Sequence, residues 1–560
     1  MNAIHRLVKF ALLQSILCMQ FDLAESFSLP SSSRRVSGSV YKILSPLDSF
    51  ANPCRLHSRK SNHKSSLLSK VNKSDDLENA REDQLDGDGG NVQNWLLALV
   101  LPLQLVYASN QLTRSSIYYL VDFSGGNGDT TADPFRAMNV AIGFSEAQYG
   151  LLASLAFTTL FAVASLGAGV AADKYDRKTL TVLSAVGWSV AIIGTSFSTT
   201  YNEVLFWRIA MGLFCAFSTP TAYTLITEKV PADRVSLATS IYGTGVALGG
   251  GLASLSILLD NQIGWSQTML TIGLVGLICA FLVATVVPND DSKFYDDTEA
   301  ATIDVSSKSF TEDDDDSQSF SFLDGVSEAL STTRAKWIYG GSFLRFSSGL
   351  CIGVWSAPYF RAAFPDNASE YAVAQALITA VVASVSGLAG GAAADYLSSS
   401  LKSDNDEDNA NQDLTGVKLW VPVAGSLLAA PAWYLAMHST DSFQTAMIWL
   451  SIEYLVAECW FGPTISTLLS TVPTKIGGTT QGLFTLTGAL ANLSPTFLGY
   501  LYGQASSSGS ATNGIEMSSS DLLPVLLTTG VCFGYVSSAL CFAIGAQTAP
   551  PLATTKSKSN

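Results

Sequence analysis

The sequence predicts an all-α membrane protein: twelve transmembrane helices arranged as two six-helix pseudo-repeats. Three observations carry this. Charged residues make up only 14% of the 560-residue chain, against about 25% in an average soluble domain. The charge is absent from long apolar stretches, each near the roughly 20 residues a spanning helix needs. The same punctuation marks recur in both halves. Barrel strands would be shorter and would alternate polar with apolar residues.

The first stretches are Trp95–Leu120, Tyr149–Ala172, Leu180–Ser196, Leu205–Ile226, Leu237–Leu259 and Met269–Val287. The second six are Trp337–Phe360, Ala374–Ala394, Leu419–Met437, Ala446–Leu468, Gly482–Tyr502 and Leu522–Ile544. This divides the chain into a leader and spacer (1–93), an N-terminal half (94–288), an acidic central loop (289–335), a C-terminal half (336–546) and a tail (547–560). The central loop, with its run Glu312 to Asp316, reads as a solvated disordered linker. So does the tail.

The leader is a segment apart from the fold. Arg6 and Lys9 precede an apolar run, Phe10 to Met19, too short to span. Ala24-Glu25-Ser26-Phe27 follows, and then a basic, Ser-rich segment in which Asp48 is the lone acid before Lys73. This resembles the bipartite leaders of algae with secondary plastids and implies a plastid envelope. An ordinary signal peptide, with endomembrane or plasma-membrane residence, is the alternative.

Positive charge sets the topology. Lys174, Arg177, Lys178, Lys229, Arg234, Lys293, Lys308, Arg334, Lys336, Lys402, Lys418 and Lys475 follow even-numbered helices; the opposite loops offer Arg136 and Arg361. Both termini and the central loop are therefore expected on the inner face. The sequon Asn367-Ala-Ser369 is expected on the outer one. Helix two ends in Gly169-Val-Ala-Ala-Asp173, and helix eight in Gly391-Ala-Ala-Ala-Asp395. Pro220 and Pro231 of helix four are echoed by Pro463 and Pro473 of helix ten. Two parallel repeats of this kind place a central site between the halves.

The net charge of −15 argues against nucleic-acid binding. The eight cysteines and four histidines show no metal-ligand spacing, and six of the cysteines sit in predicted spans as small packing residues. No nucleophile with a base, and no cofactor loop, supports an enzyme. No cofactor is expected. The partners expected are a small-molecule or lipid substrate and the bilayer, with a monomer as the default.

Gly169-Val-Ala-Ala-Asp173-Lys174-Tyr175-Asp176-Arg177-Lys178 resembles the loop signature of the major facilitator superfamily, GxxxD(R/K)xGR(R/K). Asp173 would pair with cationic loop residues in one conformation and release them in another, a charge latch with two discrete states. Asp176 stands where the family usually has Gly, which permits a left-handed turn more readily. Arg208 and Gly212 resemble the family's RxxxG motif of helix four. An arginine at that depth costs roughly 2.5 kcal/mol or more and needs a partner. Either substrate or proton-path contact, or a tie to backbone carbonyls, would supply one. Gly243, Gly245, Gly249, Gly250 and Gly251 of helix five suit close helix packing.

Asn110-Gln-Leu-Thr113-Arg114, Gly143 to Gly150, Gly264-Trp265, Gly349 to Trp355 with Pro358, and Glu458 with Gly462-Pro463 are similar to the Spinster-like branch. That resemblance implies lysolipid or sphingoid-phosphate transport. Two departures stand out. The branch has an acid before the helix-one arginine, where this chain has Thr113. It has another seven residues after the helix-four arginine, where this chain has Cys215. Proton coupling, if present, then needs other acids. Glu458 is the first candidate and Glu453 the second, five residues apart and so on different faces of a regular helix. Arg114, Arg208 and Arg345 complete the predicted substrate and proton path, and would favour a phosphate or carboxylate. An organic-anion or sugar-phosphate carrier, or a non-transporting receptor on the same fold, are the alternatives.

Overall fold

The computed structural model describes residues 95–123, 137–231, 234–288, 322–403, 414–473, 476–507 and 519–548. The leader with Phe27, the run Glu312 to Asp316, most of the insertion after Ser398 and most of the tail lie outside the described residues.

Helix occupies every one of the twelve apolar stretches, and no strand occurs among the described residues. In chain order, α1 is Leu96–Tyr118, α2 spans 146–174, α3 is Arg177–Ser196, α4 is Tyr201–Lys229, α5 spans 235–254 and α6 is Ser256–Val286. The second half has α7 at Thr333–Ala363, α8 at 368–403, α9 at Trp420–His438, α10 at 443–471, α11 at 477–507 and α12 at Ser519–Gln547. Eight of these, among the described residues, are long and apolar enough to cross a membrane on length and composition alone. The remaining four are α5, α7, α10 and α11. They are interrupted, rich in Gly, Ser and Thr, or carry Arg345, Glu453 or Glu458.

Several helices are irregular where it matters. α2 holds a π segment at Leu151–Leu155, and α8 one at Ile378–Val382. α4 loses its α-helical pattern between Cys215 and Ser218. α10 breaks at the matching place, with a 3-10 turn at Glu458–Trp460. The offset that maps Pro220 onto Pro463 also maps Cys215 onto Glu458, so the two breaks are repeat equivalents. Such interruptions leave carbonyls without their usual intrahelical donors.

Close packing follows the small residues. A Cβ on Gly249 of α5 would collide with the Ala108 carbonyl of α1. One on Gly212 of α4 would collide with the Phe157 carbonyl of α2. The aromatic core then fills the wider gaps, with Trp188, Trp355 and Trp433 fully buried.

Candidate functional site

The N-terminal half positions two guanidinium groups around one ring. Arg208 of α4 is 3% exposed. Its Nε donates to the Leu152 carbonyl (3.0 Å), inside the α2 π segment, and its Nη2 to the Arg114 carbonyl (2.7 Å), near the C-terminal end of α1. Both acceptors are carbonyls of the kind that helix irregularity or a helix end leaves free. Arg114 itself is half-buried, with its guanidinium 4.7 Å from the centre of the Phe157 ring; that of Arg208 is 5.7 Å from the same ring. Neither arginine has a carboxylate partner among the described residues. Where the branch pattern has an acid, Thr113 is fully buried and its hydroxyl donates to the Ser109 carbonyl at 2.5 Å. Cys215 is 2% exposed.

The C-terminal half is built differently. Arg345 of α7, 1% exposed, donates from Nη2 to Glu458 Oε1 (3.0 Å) and to the Ala457 carbonyl (2.9 Å). Its guanidinium lies 5.4 Å from the Trp460 ring centre and 5.0 Å from that of Tyr535. Glu453 of α10 is 2% exposed and accepts a hydrogen bond from the Tyr535 hydroxyl of α12 at Oε1. Its Oε2 has no hydrogen-bond partner among the described residues, nor does Arg345 Nε. Both glutamates act electrostatically on Arg345. The α-helical run continues to Ala457, so the five-residue spacing keeps the two acids on different faces, and Arg345 hydrogen-bonds Glu458 while only its field reaches Glu453. The burial order also differs from the order of candidates drawn from sequence: the Glu458 side chain is 37% exposed, and Glu453 is the enclosed one.

The residues of the loop signature and its second-repeat echo cluster at the cation-rich end. Gly169, Asp173 and Lys174 lie on the last turns of α2, and their side chains lie outside the described set. Arg177 donates from Nε to the Ala172 carbonyl (3.0 Å) and pairs with Glu228 at the end of α4. Asp176 has φ −55°, and its carboxylate accepts from the Thr179 amide (2.8 Å) as the N-cap of α3. No left-handed turn is needed there, and an N-cap is a position that Asp favours. Lys178 follows on the first turn of α3. In the second repeat, Asp395 pairs with Lys418 at 2.8 Å, with the Asp395 side chain 76% exposed. Gly391 faces open space.

The seam between the halves is knitted at the opposite, cation-poor end. Tyr149 donates to the Val354 carbonyl (2.7 Å), Ser254 to the Ala372 carbonyl (2.7 Å) and Arg361 to the Tyr119 carbonyl (2.8 Å). The Ser154 and Thr496 hydroxyls meet at 2.7 Å. A Cβ on Gly251 would lie 2.8 Å from the Ala376 carbonyl across the seam. At the cation-rich end the ion pairs Arg177–Glu228 and Asp395–Lys418 each stay within one half.

The profile of the Major Facilitator Superfamily matches residues 98–494. The chain belongs to this superfamily. Among solved structures, a bacterial homologue of the human lysosomal transporter Spinster, in an inward-facing conformation, has a TM-score of 0.58 at 19% identity, covering 80% of this chain and 94% of that one. The nucleoside transporter NupG reaches 0.53 at 15% identity, covering 80% and 99%. These likenesses show the fold. A gallate transporter of Pseudomonas putida is 30% identical over 147 residues, 26% of this chain and 32% of that protein. A 4-hydroxybenzoate transporter of Pseudomonas aeruginosa is 30% identical over 175 residues, 30% of this chain and 38% of that protein. The matched segments thus span about a third of these relatives. The superfamily and these neighbours are transporters and not enzymes, in keeping with a chain that assembles no nucleophile and base in its sequence.

Of the predicted path residues, the structure brings Arg114 to Arg208 and Arg345 to Glu458, with Glu453 held by Tyr535 instead. It separates the gating group from them. Sequence reasoning missed Phe157, Trp460 and Tyr535, because a single aromatic residue in an apolar span gives no signal of its own. Glu228 stands in register with the helix-four motif in the sequence, but its pairing with Arg177 did not follow from that.

Proposed function

We propose that this facilitator carries an organic anion across its membrane by alternating access, with Arg114 as the anchor for the anion. One observation carries the reading: Arg114 is a half-exposed guanidinium in a spanning helix whose contact is a ring face, with no carboxylate or acceptor on its nitrogens among the described residues. Arg208 is already held by two carbonyls, and Arg345 by a carbonyl and the carboxylate of Glu458. An unpaired guanidinium at that depth favours a carboxylate or phosphate guest. The relatives named for gallate and 4-hydroxybenzoate, both aromatic acids, support a carboxylate. The seam closed at one end supports a state open toward the cation-rich, inner face.

The test is uptake by proteoliposomes holding the full chain, with labelled 4-hydroxybenzoate, gallate, a sugar phosphate and a lysophospholipid offered separately. Saturable uptake of an aromatic acid, lost in Arg114→Gln, is the expected result. Flux of the lysophospholipid instead would favour the Spinster-like lipid reading, and flux of the sugar phosphate the sugar-phosphate carrier. Binding without flux would favour a receptor. The basic Ser-rich leader supports a plastid envelope, and a reporter fused to Met1–Ser74 tests that address.

A further inference from the structure

We propose that Glu453 is the proton-binding carboxylate of the C-terminal half, and that Arg345 passes from Glu458 to Glu453 when that proton leaves. Only its link to flux rests on the transport reading above.

Three observations lead here. The first is the state of Glu453. It is 2% exposed, one oxygen accepts from Tyr535, and the other has no hydrogen-bond partner. An anion with one oxygen unmet at this burial is expensive, whereas a neutral acid is far less so. The second is the stoichiometry. One guanidinium lies within electrostatic reach of two carboxylates, and of the two it hydrogen-bonds only Glu458, while its own Nε stays unmet. With both acids ionised the cluster carries a net negative charge; with a proton on Glu453 it is neutral. Loss of that proton therefore creates a buried anion beside a guanidinium with a free edge. The third is the helix break. Arg345 also holds the Ala457 carbonyl, at the end of the α-helical segment of α10 and beside the 3-10 turn. Moving Arg345 from Glu458 toward Glu453 shifts a bond across that break, which couples proton occupancy to the bend of α10.

Several neighbouring elements supply the groups that act on Glu453. Tyr535 comes from α12, Arg345 from α7, and Glu458 and Tyr454 from α10 itself. α8 contributes the uncharged Gln375, bonded to Tyr454. α9, packed alongside, has no charged residue between Trp420 and Met437. The step is a simple one: an O–H bond of hydronium breaks as one forms on Glu453 Oε2, leaving water, and the reverse step returns the proton to water as hydronium. The repeat gives a reason for the location. Where the N-terminal half has Cys215, the equivalent register of the C-terminal half has Glu458, so the acids needed to hold and trade a proton sit in the second repeat.

Infrared difference spectroscopy of the purified full chain, titrated from acidic to alkaline pH, tests the proton site without any substrate. The carbonyl stretch of a protonated buried carboxylic acid, followed throughout in an Asp260→Asn background because Asp260 is the other buried acid among the described residues, should fade with rising pH. It should be absent in Glu453→Gln, return in Glu453→Asp, persist in Glu458→Gln, and change its midpoint in Tyr535→Phe. Persistence of the band in a monodisperse Glu453→Gln, or its loss in Glu458→Gln, overturns the assignment. The arginine transfer is read on Trp460, whose ring lies against Arg345. The part of the tryptophan fluorescence change that Trp460→Phe removes should vanish in Glu453→Gln; if it survives there, Arg345 does not follow Glu453. In proteoliposomes, the pH profile of 4-hydroxybenzoate uptake should flatten in Glu453→Gln and recover in Glu453→Asp. A profile unchanged in Glu453→Gln overturns the coupling role. The infrared band decides the proton site by itself, whether or not 4-hydroxybenzoate is carried.

Discussion

The two halves hold their membrane arginines by opposite means. In the N-terminal half Arg208 has no counter-charge among the described residues; it is hydrogen-bonded to two backbone carbonyls and shares the Phe157 ring with Arg114. In the C-terminal half Arg345 is bonded to one carbonyl and one carboxylate, with a second carboxylate enclosed nearby. Both halves use the same device, an arginine placed on a carbonyl beside an irregular or ending helix. What differs is the charge left over. Around its arginines the first repeat keeps surplus positive charge, and the second keeps surplus acid. On the proposals above, the first would suit an anionic guest and the second a proton, a difference set by a few side chains, Cys215 against Glu458 among them.

Substitutions can break or sharpen this contrast. The largest stability effect should come from Arg345→Met. Removing one partner of a buried pair costs up to several kcal/mol, and about 3 kcal/mol is expected here because Glu458 is partly exposed. Thermal unfolding in detergent measures it, and adding Glu458→Gln should recover part of the loss. Arg208→Met should cost less, about 2 kcal/mol, since it leaves two unpaired carbonyls and no orphaned charge. No second substitution of an acid should rescue it, and a rescue would show that the two halves are alike after all.

Cys215→Glu restores an acid to the first repeat. The new carboxylate should compete with substrate for the guanidinium groups and weaken anion affinity about tenfold, or about 1.4 kcal/mol. Competition binding of 4-hydroxybenzoate reads this directly, and unchanged affinity would remove Arg114 from the substrate path. The smallest stability effect should come from the cation-rich end. Glu228→Gln or Lys418→Ala breaks an exposed or half-exposed pair worth about 0–1 kcal/mol. Asp173→Asn and Glu228→Gln should nevertheless slow turnover with little change in KM, because a latch acts on the balance of two states and not on the bound substrate. Normal turnover in both would dismiss the latch.

The gating motif shows how far local pattern reaches. Its glycine, aspartate and basic residues were legible because their spacing is local, and Asp176 proved compatible with the turn because Asp is a good N-cap. The partner of Arg177 was less legible, since Glu228 is 51 residues away. In α10 the five-residue spacing separated Glu453 from Glu458, and the helix, regular to Ala457, keeps them apart. Which of the two is enclosed was decided by neighbours distant in sequence, with Tyr535 of α12 on Glu453.

Sequence alone determined the class of protein, the twelve apolar stretches and the repeat, because burial in lipid demands long apolar runs and duplicated halves keep their prolines and aspartates in register. It also determined which arginines and glutamates stand in spanning segments, since each such charge is conspicuous against an apolar background. Tertiary structure decided how those charges are used. Whether an arginine meets a carbonyl, a carboxylate or a ring depends on where helices break and which neighbour lies across the gap. Those contacts join residues as far apart in the chain as Arg345 and Glu458, or Glu453 and Tyr535. Local sequence carries no record of that distance, so the different surroundings of the arginines in the two halves became visible only when the helices were packed.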